Sequence, residues 1–92
     1  MSMVTKNVNL EGRKVLIRTV TCYYTGRITA VTDQWIVLED AAWIASTGRF
    51  ADALANGTLD EVEPFPAGEV LISVGAVIDI AEWAHELPRE QK

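Results

Sequence analysis

The chain has 92 residues, eight Lys and Arg against thirteen Asp and Glu, and a formal net charge of -5 at pH 7. A chain of this size buries only roughly 60–65% of its unfolded surface, so it supports one modest core and excludes a multidomain enzyme. With 49% hydrophobic and 23% charged residues it is an ordered globule, and its acidic balance excludes a protein that coats nucleic acid indiscriminately.

Residues 1–12 open on MSMVTKNVNL, which lacks the apolar core and small-residue cleavage site of a signal peptide and reads as a flexible end. From Lys14 to Ala42 the chain is rich in Val, Ile, Thr, Tyr and Trp, residues that suit a pleated, half-buried surface. Three strands are expected there: Lys14 to Val20, Tyr23 to Thr32 and Gln34 to Ile44, linked as a bent antiparallel meander. In the second strand, alternation puts Tyr24, Gly26, Ile28 and Ala30 on one face and Tyr23, Thr25, Arg27 and Thr29 on the other. Gly26, in mid-strand, marks a sharp bend or a close backbone approach.

The stretch STGRFADALANGT predicts a short helix, with Ser46 or Thr47 as its cap and Gly57 ending it in the left-handed conformation. LDEVEPFPAGE, with four acids and two prolines, reads as an extended surface connection. Two further strands are expected, Glu69 to Val74 and Ala76 to Trp83, separated by a break at Gly75, and the tail from 84 to 92 is expected to fray. The fold class is therefore mainly β, a single domain of five antiparallel strands with a helix inserted between the third and fourth.

One cysteine, Cys22, rules out an intramolecular disulfide and any cysteine-rich zinc site, and a reducing cytoplasmic setting is the expectation. No run of about 18 apolar residues exists to span a membrane as a helix.

Residues 23–41, YYTGRITAVTDQWIVLEDA, resemble the first signature of the Sm-like (LSm) superfamily: a glycine in the second strand, an apolar residue two further on, an aspartate in the next loop, then an apolar strand ending in Glu-Asp. Residues 72–80, ISVGAVIDI, resemble the second signature in length and apolar pattern, and the chain is most similar to short members found in bacteria and their phages. The resemblance implies a small bent barrel of the SH3-like kind whose fourth and fifth strands pair between identical subunits to close a ring. Independently, a small open sheet leaves edge strands that need partners, and cyclic pairing of identical copies supplies them without fibre growth.

Members of this family hold single-stranded RNA in two loops at the ring centre, by stacking a base on a side chain and by an asparagine and an Arg-Gly pair. The corresponding positions here are Asp33, Gln34 and Trp35 in a first loop shorter than the family pattern and Ser73 with Gly75 in the second; the asparagine is missing, and Ser73 and Val74 replace the Arg-Gly pair. Tyr23 and Arg27 add an aromatic and a cation on one strand face. These seven residues are the candidate contacts for single-stranded RNA or DNA. Trp35 is weighed against a core aromatic at the barrel end, and Trp43 and Trp83 read as core or interface anchors.

Catalysis finds little support. Cys22 and His85 are the only thiol and imidazole, and their spacing does not bring them together. Asp60, Glu61 and Glu63 lack the ligand spacing of a calcium loop, so no metal or cofactor is expected. The expected function is a non-catalytic, ring-forming Sm-like protein that contacts single-stranded nucleic acid. The alternative is a ring-shaped or phage-associated assembly and protein-interaction module without that activity. Residues 1–27 carry five cations against Glu11, whereas residues 28–92 carry three against twelve acids, which leaves room for a contact on one face.

Overall fold

The computed structural model describes residues 9–92, whose backbone forms six strands and one short helix. The strands are β1 (Lys14–Thr19), β2 (Tyr23–Val31), β3 (Trp35–Ser46), β4 (Glu61–Pro64), β5 (Val70–Ser73) and β6 (Val77–Glu82). The helix α1 (Phe50–Asn56) lies between β3 and β4, and a 3-10 turn, Val74–Ala76, joins β5 to β6. The meander, the inserted helix and the final pair of strands stand where the residue patterns place them. The count of five strands is corrected to six.

All pairing is antiparallel, in the order β4-β3-β2-β1-β6, with β5 on the first half of β3 beside β4 on its second half. β4 and β6 end the path and do not pair, so the sheet is open and not closed into a barrel.

The added strand, β4, falls in the acid- and proline-rich stretch read as a connection. Its one buried residue, Val62, faces Ile44, while Glu61 and Glu63 are exposed and Pro64 closes the strand. A terminal proline and outward charges are tolerated only on an edge strand, which this is.

Helix α1 ends as expected at Gly57, whose φ of 76° lets its N–H reach the Ala53 carbonyl. Its start differs: Arg49 stands at the cap, and neither Ser46 nor Thr47 caps it. Thr47 Oγ1 donates instead to the Gly48 carbonyl at 2.9 Å.

β3 is twelve residues long and changes face in the middle. Ile36 and Leu38 point into one cluster with Val15, Ile17, Ile28, Ala41 and Ile72; Ala42 and Ile44 point into a second with Leu16, Ala53, Val62, Trp83 and Leu87. The inversion occurs where Asp40 and Ala41 stand against the single residue Gly26, a β-bulge with Asp40 at φ 50°. A Cβ on Gly26 would lie 3.2 Å from the Glu39 carbonyl oxygen, so the close approach read from the sequence is present.

Both faces of the sheet are thus covered. α1 and the C-terminal segment form the second layer, which is why Val15, Leu16 and Ile17 are consecutively buried in β1. The tail expected to fray packs instead: Leu87 is buried, and Lys92 exchanges backbone hydrogen bonds with Val62 at 2.9 and 3.1 Å. The expectation of a flexible end over residues 1–12 falls mostly on residues 1–8, which lie outside the described residues.

Candidate functional site

The β2–β3 connection is held by Thr32, whose hydroxyl accepts from the Gln34 and Trp35 amides at 3.2 and 2.9 Å. The Thr32 N–H donates to the Trp35 carbonyl at 2.8 Å. That side chain replaces a backbone acceptor and makes the loop tight. Trp35 then pairs with Ser73 at the end of β5, and the Val74 amide donates to the Gln34 carbonyl at 2.9 Å. Asp33, Gln34, Trp35, Ser73 and Gly75 are therefore brought together from two loops at one end of the sheet, and all are exposed. Trp35 is 40% exposed and so is not a core aromatic. Gly75 meets only Ser73 Oγ, at 3.7 Å, and no close approach requires a glycine there.

Tyr23 and Arg27 do not join this group. Tyr23 pairs with Arg18 and Ile44 at the other end of β2, and its ring lies against Phe50 of α1 at 5.9 Å. Thr25, between them, is fully buried, because α1 and the tail cover that face. Arg27 lies 3.7 Å from carboxylate oxygens of both Glu39 and Asp40, and Asp40 also takes Arg89 at 3.3 Å. Tyr23 and Arg27 thus share one strand face, whose Tyr23 end is packed against Phe50 and whose Arg27 end is ion-paired to Glu39 and Asp40.

Cations are scarce elsewhere. From Ile28 to Ala84 the only Lys, Arg or His is Arg49, so neither of the two joined loops carries a positive charge.

An aromatic surface that the sequence reading missed lies on the opposite side of β2. Tyr24 stands directly across from Trp43, and its ring stacks on Phe65 at 6.5 Å and 23°. Trp43 and Phe65 are 39% and 38% exposed. Trp43 is thus a surface residue, while Trp83 is the core anchor, buried and donating from Nε1 to the Glu86 carbonyl at 3.1 Å. The cross-strand pairing of Tyr24 with Trp43 was within reach of the meander prediction. Phe65 was not, because its stretch read as a linker.

Cys22 borders this surface, with its Sγ 3.8 Å from the hydroxyls of Thr19 and Thr21. Partial burial pushes the thiol up, but hydrogen bonding to Tyr24, Thr19, Thr21 and Trp43 outweighs it and holds the thiol below its usual range. The Tyr24 phenol is correspondingly raised, first by its hydrogen bond to Cys22, then by burial and the thiolate charge. His85 is held elsewhere: its ring is edge-on to Trp83 at 4.9 Å, with Nε2 2.8 Å from the Leu54 carbonyl. The thiol and the imidazole belong to separate clusters.

Among the described residues no group of three His, Cys, Asp or Glu side chains is placed to hold a metal ion, and no helix is long and apolar enough to cross a membrane. Comparison with protein-family models, curated proteins and solved structures finds no match to this chain.

Proposed function

We propose that this chain is a non-catalytic, self-assembling protein of the Sm-like class whose copies pair through the outer edges of β5 and β6 into a closed ring, acting as an interaction module. The observation that carries this reading is the unequal protection of the sheet's edges. Among the described residues β4 is covered on its outer side by the backbone of Lys92, whereas β5 pairs only with β3 and β6 only with β1. The unprotected strands and the turn between them carry the exposed apolar residues Leu71, Val74 and Ile78, and Ile78 sits in a bulge of β6. Exposed edges with apolar side chains are the features a protein conceals by pairing with another chain. The meander of β1 to β3 and the one-turn link from β5 to β6 support the Sm-like assignment.

Light scattering on the purified chain tests it. The chain runs as a discrete oligomer, and the Leu71→Lys, Ile78→Lys double variant runs as a monomer with the same circular dichroism. A monomeric unmodified chain at tens of micromolar removes the proposal, since edge pairing at physiological strength persists at that concentration.

A second reading keeps single-stranded RNA or DNA as the ligand at Asp33, Gln34, Trp35, Ser73 and Gly75. The hydrogen bond between Val74 and Gln34, which joins the two loops beside a half-exposed indole, favours it. The absence of Lys and Arg from both loops ranks it below protein interaction, because phosphate contacts supply most of such affinity. Anisotropy with labelled oligo(U) and oligo(dT) separates the two: salt-sensitive binding lost in Trp35→Ala supports the second reading.

A further inference from the structure

Beside the aromatic surface lies a hollow of about 430 Å³ between the bulge of β3 and the connection from β4 to β5, lined by Glu39, Asp40, Phe65, Pro66 and Glu69 among others. Phe65 belongs to both features: its ring stacks on Tyr24 and also walls the hollow. Glu63 stands directly across from Trp43 on the adjacent strand. Glu63 thus flanks Trp43, and Glu69 shares the hollow with Phe65, whereas Glu39 and Asp40 turn to Arg27 on the other side of β2. The guanidiniums that approach them are Arg27, 3.7 Å from Glu39 and Asp40, and Arg89 on Asp40.

We propose that this surface, formed by Tyr24, Trp43 and Phe65 with the carboxylates of Glu63 and Glu69, is a docking site for an extended, arginine- or lysine-bearing segment of a partner protein. The argument is charge complementarity joined to ring chemistry. A cationic side chain laid across the rings meets Glu63 beside Trp43 or Glu69 beside Phe65 at its head, and its stem or its guanidinium plane lies on the aromatic faces. The chain already uses that geometry internally, with the Arg18 guanidinium 5.5 Å from the centre of the Phe50 ring. Nucleic acid is disfavoured at the same rings, because its phosphates would approach the carboxylates. The site involves neither outer edge of β5 and β6, so it stands independently of ring assembly.

The probe is a fluorescein-labelled decapeptide of alternating arginine and proline, with the glutamate–proline analogue and a ten-nucleotide oligo(dT) as comparisons. The chain binds the arginine peptide at least tenfold more tightly than either comparison. Trp43→Ala, and separately the Glu63→Gln, Glu69→Gln double variant, weaken binding at least fivefold with the oligomer size and circular dichroism unchanged. The Asp52→Asn, Glu90→Gln double variant removes the same formal charge elsewhere and changes affinity less than twofold. Equal binding of the two peptides, tighter binding of oligo(dT), unaltered affinity in the site variants, or equal loss in the distant variant each overturns the proposal.

Discussion

The ring of His85 lies against Gly57 so closely that a Cβ at position 57 would stand 2.8 Å from the ring's Cγ. The same histidine reaches the Leu54 carbonyl, so the end of α1, its left-handed glycine and the C-terminal segment interlock at one point. Gly57→Ala therefore suffers twice, from a left-handed backbone and from the clash, and loses about 2–3 kcal/mol. At about 4–8 °C per kcal/mol for a domain of this size, calorimetry reads the loss plainly. Gly12→Ala is the control, because Gly12 shares the positive φ but no described residue lies within 4 Å of where its Cβ would stand; it costs about 1 kcal/mol.

Thr25 is fully buried, and its hydroxyl has no hydrogen-bond partner among the described residues. Desolvating that hydroxyl without return opposes folding, and an isosteric methyl removes the penalty. Thr25→Val is therefore neutral or stabilising by up to about 1 kcal/mol in urea unfolding, whereas Thr25→Ser, which keeps the hydroxyl and loses a methyl, is destabilising by about 1 kcal/mol.

The thiol of Cys22 reports on its surroundings through pH. Because hydrogen bonding holds it below the usual range, its alkylation by iodoacetamide reaches half-maximal rate at a lower pH than that of a free thiol. Tyr24→Phe moves that midpoint upward. In stability, the depressed thiol contributes fully above the unfolded-state value of about 8.5 and loses its contribution as pH falls through the folded value. The raised phenol of Tyr24 has the opposite sign, contributing below about pH 10 and losing its part as pH rises through its own folded value. Urea unfolding of the native chain, compared with Cys22→Ser, isolates both arms.

Removing Gln91 and Lys92 strips the outer edge of β4 of its two backbone hydrogen bonds to Val62. The shortened chain gains a third open edge, and light scattering shows association beyond the discrete oligomer that grows with concentration. Unaltered sizing would mean that the covering of β4 has no part in limiting assembly.

Much of the fold was legible because its signals were local. Runs rich in Val, Ile, Thr, Tyr and Trp marked β1 to β3, and Asn56 with Gly57 marked the end of α1. β4 was not legible, because a strand with a single buried residue, Val62, carries no alternation, and the exposed edge that admits its acids and proline is a property of the finished sheet. The two loops of the candidate site could be placed together from the family resemblance. The fate of Tyr23 and Arg27 could not, since it depends on Phe50, Glu39 and Asp40 meeting them across the sheet. The packing of Leu87 and Lys92 was hidden for the same reason: nothing within the tail's own sequence shows that it has a surface to lie on.

The bulge at Asp40 has a consequence for how this chain tolerates change. On the N-terminal side of it, β3 serves the cluster around Ile28 and Ile72; beyond Ala41 it serves the cluster around Trp83 and α1. A one-residue insertion after Ala41 would turn Ala42 and Ile44 away from the helix while leaving Ile36 and Leu38 in place. The helical layer would then come loose from an intact meander. The bulge therefore sets a boundary between two regions of the molecule that can acquire mutations separately, one holding the joined loops and the other the helix and the tail.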